Sequence, residues 1–426
     1  MFQKFSRKYA QALAYSKKKY YLCRLLRMHL SLVVLMQEII DYIIQFLLYG
    51  QQEGVQRVGY TSDCSLWPNF RVVVVPNGHL GKAIVMPTDE DLEWRCEQVG
   101  ETFVVHTDVV YNTFFFTSRA EELLVSQRDQ HGRFLARYSM LGKHNRLMIP
   151  MLDEYSRALI KLLDLPLPAP GYSHVYLTHD IDSIAHYRHL HGAVGGLLRG
   201  HCKQVFAALR DIHNDPAYTF SWLISQDKQL DNAHCIYFVK DTPGKGHDYP
   251  QYDLQGADFA ALQRLLTDSG AHLGWHSSAH EVLSSPHRLL ASSPNSLSMH
   301  RSHYLACSIE KMQLLADMGV KDDFTMMFPD QAGFRLQTTR AVRWINPITW
   351  QLTELTLHPL TVMDCTLSHE HYMGLTEDEA YFHCQRLFEK IHQNAGEVVL
   401  LWHNTIINNQ TYHKSLYPKV LELLID

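Results

Sequence analysis

Two short stretches carry the residue types that metal-assisted hydrolysis needs. Val175-Tyr-Leu-Thr-His-Asp-Ile-Asp182 begins as an apolar strand and ends in two carboxylates, Asp180 and Asp182. In extended chain, residues i and i+2 share a face, so both acids can address one site. Acids this close call for a cation, a shared proton or open water, although a lone Asp-x-Asp is more often a solvated turn. The second stretch, Ala271-His-Leu-Gly-Trp-His-Ser-Ser-Ala-His280, supplies His276 and His280. On a helical turn, i and i+4 face the same way, and two imidazoles there can hold one ion. No Glu follows His276, so this is not the His-Glu-x-x-His of zinc proteases. The base must come from elsewhere, and Asp180 is the candidate. In a chain with 27 histidines, one His-x-x-x-His decides little. Joined to an Asp-x-Asp at another strand end, it makes an Asp-His-His metal site.

Thr178-His-Asp-Ile-Asp182, His276-Ser-Ser-Ala-His280 and Leu400-Leu-Trp-His-Asn404 resemble, in this order, three motifs of the NodB-like polysaccharide deacetylases. The resemblance runs from about Gly171 to Asp426. Phe114-Phe-Phe-Thr-Ser-Arg-Ala-Glu-Glu122, Asp129-Gln-His-Gly-Arg133 and Pro150-Met-Leu-Asp-Glu-Tyr155 resemble the N-terminal region that accompanies a bacterial subgroup of that family.

The resemblance implies a metal-dependent deacetylase acting on an acetylated glycan, N-acetyl before O-acetyl. It implies Asp182, His276 and His280 as ligands of a divalent ion, most simply zinc, with Asp180 as general base. Arg301, in Arg301-Ser-His-Tyr-Leu305, sits where the family places an arginine that orients the base. Here the usual Arg-x-Pro is absent, and a plain salt bridge at the barrel rim is the competing role. His403 becomes the general acid, whereas a lone histidine at a strand end is ordinarily structural. Asp330 and Arg335, in Phe328-Pro-Asp-Gln-Ala-Gly-Phe-Arg335, are expected to line the pocket or orient other groups, and Asp364 is a further strand-end acid with no assigned role. Two other readings fit the same residues: a catalytically silent carbohydrate-binding scaffold, and a non-haem iron oxygenase built on a two-histidine, one-carboxylate triad.

These residues must be carried by elements that end at one edge. The periodicity predicts strands at Val175–Leu177, Cys235–Val239, Ala271–Trp275, Ser298–His303, Phe324–Phe328, Leu352–Leu357 and Val398–Trp402. Helices are predicted at Asp258–Thr267, Ser308–Met318 and Glu377–Ala395, each followed by a Gly-containing stop. Alternating strands and helices predict an α/β fold, an incomplete (β/α)7 barrel of the polysaccharide-deacetylase type over 171–426. A stiff Pro166-Leu-Pro-Ala-Pro170 linker separates it from a smaller mixed α/β domain over 1–165. There, Phe70–Val75 reads as a strand, Asp108–Phe116 as an apolar segment leading into a helix, and Tyr155–Leu163 as a helix. The polar set Ser118, Arg119, Glu121, Glu122, Asp129 and Arg133 reads as an internal ion-pair network. Residues 186–232 form an oversized, His-rich insertion after the first barrel strand.

Composition bounds the rest. The chain has 426 residues, 46% of them hydrophobic and 19% charged, with a net charge of −5. That balance gives no support to nucleic-acid binding. Eight scattered cysteines without Cys-x-x-Cys suit buried thiols better than a disulfide framework. Residues 1–28 carry eight Lys/Arg and no acid, and an apolar run follows to Leu48. Gln37, Glu38, Asp41 and Gln45 interrupt that run, so an amphipathic helix with a basic leader is expected rather than a membrane anchor. No stable membrane insertion and a cytoplasmic location are the corresponding expectations, with the anchor as the alternative.

Overall fold

The computed structural model describes residues 34–240, 248, 252–279, 298–408 and 411–425. His280, the basic leader and Cys23 lie outside the described residues. Residues 34–47 are helical, with Ile39, Ile43 and Leu47 buried and Gln37, Glu38, Asp41 and Gln45 exposed. The amphipathic pattern thus turns its apolar face to the core. No described helix is long and apolar enough to cross a membrane.

A four-stranded sheet follows: β1 (Val58–Tyr60), β2 (Val72–Val74) and β4 (Thr102–Val105) run parallel, and β3 (Cys96–Val99) pairs antiparallel with β4. The segment from Asp108 is itself a helix, Val109–Thr117, because Asp108 caps it by accepting the Tyr111 amide at 2.9 Å. The helix predicted at Tyr155–Leu163 spans Met151–Leu162. The expected ion-pair network is present: Glu122 binds Arg119 at 2.7 Å and Arg335 at 2.6 Å, and Asp129 binds Arg133 at 2.8 Å.

The second sheet has nine described strands in the order β10-β11-β9-β8-β7-β6-β5-β13-β12. They are β5 (His174–Ile181), β6 (Ala233–Lys240), β7 (His272–Ser277), β8 (Met299–Ser302), β9 (Asp322–Asp323), β10 (Val342–Asn346), β11 (Gln351–Leu357), β12 (Val362–Met363) and β13 (Glu397–Leu401). All neighbours are parallel except β10 and β11, which form an antiparallel pair. The sheet curls. His358 lies 2.9 Å from Glu397 of β13 and 3.1 Å from Asp322 of β9. In a flat sheet those strands stand five steps apart, about 24 Å, too far for one imidazole. The terminal strands β10 and β12 do not pair, so the curl stays open.

This architecture corrects the seven-strand expectation in two places. β10 and β12 are additional strands, and Phe324–Phe328 is not a strand. Asp323 accepts from the Thr325 amide at 3.0 Å and its hydroxyl at 2.8 Å, turning the chain as soon as β9 ends. The long helix Glu377–Gln393 starts where predicted, on a capping box in which Thr376 and Glu379 bond each other's amides. The thiols also differ from expectation: Cys307 and Cys384 are buried, but Cys64 and Cys202 are exposed.

Candidate metal centre and hydrolytic site

Because β5, β6, β7, β8 and β13 are parallel, their C-terminal ends open at one edge, where ligands gather in such sheets. Register aligns Lys240 with His276 and His276 with Arg301. Asp180 ends on the same side as Asp182, as period two requires: His276 Nε2 lies 3.7 Å from Asp180 Oδ2 and 3.4 Å from Asp182 Oδ1. His179, one residue before Asp180, points the other way into a buried set with Asp227 and the Trp402 carbonyl. It is structural.

Arg301 is fully buried and reaches across the curl. Its Nη1 donates to Thr178 Oγ1 at 2.8 Å and to Asp180 Oδ1 at 3.2 Å, and its Nε donates to the Phe324 carbonyl at 3.1 Å. Asp180 is therefore fixed from one side by a guanidinium and leaves its second oxygen towards His276.

The third member of the described cluster is one the sequence reading passed over. Ligand atoms of Asp182, His276 and His303 all lie within 4.8 Å of one another. His303 sits just beyond β8, its Nε2 3.3 Å from Asp182 Oδ1 and its Nδ1 2.5 Å from Asp248 Oδ1. His276 uses its Nδ1 against the Arg301 carbonyl at 3.1 Å, while its buried Nε2 has no hydrogen-bond partner. Both rings are thus anchored through Nδ1 and present Nε2 to one point beside a carboxylate, the arrangement by which proteins orient metal-binding imidazoles. A period-two signal was available: Arg301 and His303 are i and i+2. The Asp248 partner, far away in sequence, was not legible.

Charge suits a cation here. Burial opposes ionisation of Asp182, yet His276, His303 and Lys240 hold its carboxyl well below the usual range. Burial pushes the His303 imidazole below its ordinary value against the pull of Asp248 and Asp182, favouring the neutral, ligating form. Lys240 Nζ lies 2.8 Å from Asp182 Oδ1 and 3.0 Å from His303 Nε2, so a bound ion must share Asp182 with this ammonium or displace it.

His403 follows β13 on the same edge, where the Trp402 amide bonds the Thr178 carbonyl at 3.0 Å. Its Nδ1 meets Asp364 Oδ1 at 2.8 Å, and its backbone N–H donates to Asp364 Oδ2 at 2.6 Å. Burial disfavours the imidazolium, but Asp364 outweighs it and raises the His403 pKa well above the ordinary value. Cys365 Sγ stands 4.0 Å from the same nitrogen. Asp364 thereby acquires a place. Asp330 and Arg335 do not join the site: Asp330 accepts the Ala136 amide at 2.7 Å, and Arg335 serves Glu122.

Compared with known proteins, residues 5–168 match a family of unknown function, DUF7033. No curated protein matches the chain. Two solved structures are similar at a distance. A candidate polysaccharide deacetylase from Mycobacterium smegmatis is 15% identical, with a TM-score of 0.37, over 61% of this chain and 88% of its own. A candidate polysaccharide deacetylase involved in O-antigen biosynthesis from Bordetella bronchiseptica is 14% identical, with a TM-score of 0.29, over 60% and 84%. Likenesses this remote carry no weight for the chemistry, which rests on the site itself.

Proposed function

We propose that this chain is a metal-dependent hydrolase that removes acetyl groups, N-acetyl by preference, from a carbohydrate or glycan. The catalytic unit is 171–426, and 1–165 is an accessory unit. The observation that carries the reading is the convergence of Asp182, His276 and His303 beside an Asp180 that Arg301 holds. The orphaned, buried His276 Nε2 fits a metal ligand better than a packing residue. Asp182, His276 and His303 would hold the ion; His280, the third ligand that the motif implies, competes for the place of His303. Ion binding by His280→Ala and His303→Ala separates the two.

A divalent ion, zinc in the simplest case, would supply Lewis acidity towards the acetyl carbonyl and bring the pKa of water towards ~7. The chain's own residues supply the proton transfers. Asp180 accepts the proton of the attacking water through the oxygen that Arg301 leaves open. Arg301 keeps that carboxylate aimed. His403, charged by Asp364, donates the proton that lets the sugar amine depart. Acetate release from a panel of N- and O-acetylated glycans, with and without chelator, tests the reading. Release that chelator abolishes supports it. Bound glycan without acetate release would instead indicate a silent binding scaffold, and an oxygen requirement would indicate an iron oxygenase.

A further inference from the structure

The insertion that leaves Asp182 contains a helical hairpin with its polarity inverted. The Leu190–Leu198 helix buries Gly192 and Gly196, and the Cys202–Arg210 helix buries Val205 and Ala208. The inner contact is close: a Cβ on Gly196 would lie 2.6 Å from Val205 and 2.7 Å from Tyr187. The large side chains face outward. Leu190 is 81% exposed, Leu198 83% and Phe206 64%, with Val194, Leu197 and Leu209 exposed beside them. Leu190, Val194, Leu197 and Leu198 follow i, i+4, i+7 and i+8, which is one helix face. Phe206 and Leu209 occupy one face of the second helix. A soluble surface rarely gathers six such residues without a partner.

The charge around this face selects the partner. From Ser183 to Arg210 the chain has no Asp or Glu, but it has Arg188, Arg199, Lys203 and Arg210. Arg188 is committed to Asp258 at 2.6 Å. Arg199, Lys203 and Arg210 are exposed, and Lys203 and Arg210, seven residues apart, lie on one side of their helix. An apolar face edged by Arg199, Lys203 and Arg210, with the single acid Asp211 at the far end of the second helix, matches a bilayer interface with anionic headgroups, where side chains enter the acyl boundary and Lys/Arg meet phosphates. We infer that the 190–210 hairpin docks the protein peripherally on an anionic membrane surface. This stands apart from the hydrolytic reading: the hairpin begins eight residues after Asp182, beyond the strand that carries Asp180.

Vesicle co-sedimentation of the full chain tests it. The protein should sediment with phosphatidylcholine vesicles containing phosphatidylglycerol, less so in high salt, and not with phosphatidylcholine alone. Leu190→Ser/Leu198→Ser/Phe206→Ser should weaken binding by roughly tenfold or more, because exposed apolar anchors carry the insertion term. Its Tm should be unchanged. Arg199→Glu/Lys203→Glu/Arg210→Glu should lose the preference for phosphatidylglycerol. Absence of vesicle binding overturns the inference. So does undiminished binding by the serine variant, which would place the contact elsewhere, for instance in the basic residues 1–28. A wild-type dimer that becomes monomeric in the serine variant would make this face a contact between copies. A lower Tm in that variant, with binding retained, would show it packed within the chain.

Discussion

Lys240 sets the strictest condition on ion binding. Its buried ammonium shares Asp182 Oδ1 with any cation brought against His276 and His303. Like charges in one site oppose each other, so Lys240→Met should tighten zinc binding by about tenfold, read by competition with a chromophoric chelator. Loss of binding in this variant would mean that the ammonium supports the ligands instead. His403 gives a second test. Its raised pKa places loss of its proton above neutrality, so an alkaline limb of the rate profile belongs to it. Asp364→Asn should move that limb down, and His403→Ala should retain metal yet lose most amide hydrolysis, with activated esters suffering less. Equal loss on both substrates would assign His403 to binding. At this scale Asp180, Asp182, His276, Arg301 and His403 were legible because motif spacing marks them. His303, Asp248 and Lys240 were not, since only the fold brings two further strand ends and a loop to the same place.

At the scale of elements, an ion triad spans the curl, with His358 and Glu397 buried and Asp322 partly exposed. Burial opposes charge on His358, but Glu397 and Asp322 raise its pKa to about 9. A group whose folded pKa exceeds its unfolded value stabilises fully below the unfolded value, near 6.5, and loses that contribution as pH climbs through the folded one. The shift is worth of the order of 3 kcal/mol. The urea midpoint should therefore fall between about pH 6.5 and 9, and His358→Gln should flatten that slope. A slope unchanged in the variant would remove His358 from the account. The core strands were legible because buried parallel strands read as apolar runs. β10 was missed because Arg343 and Asn346 break its run, and the Phe324–Phe328 run looked extended although Asp323 bends it.

For the molecule as a whole, the segment before the Pro-rich linker and the segment after it share a buried charge network. Glu122 is held at about 2, with Arg119 and Arg335 prevailing over burial. Removing its charge breaks the ion pairs of two buried guanidinium groups, at a cost of about 3–5 kcal/mol. Glu122→Gln should lower the Tm by several degrees without altering ion affinity; a Tm equal to wild type would deny the network a structural role. Arg133 of the same segment donates to the Tyr304 carbonyl at 3.3 Å, next to His303, so residues before the Pro-rich linker touch the loop that carries His303. The ion-pair character of this region was legible from composition; its partners Arg335 and Asp330 were not, being far along the chain.

The most direct measurement is acetate release from an N-acetylated glycan as chelator-stripped protein is titrated with zinc. Activity should rise in proportion to zinc and stop at one equivalent per chain. His276→Ala should stay flat, and Asp180→Asn should bind the equivalent yet remain nearly inactive. Full activity in the stripped protein, or none at any zinc level across the glycan panel, would contradict the account.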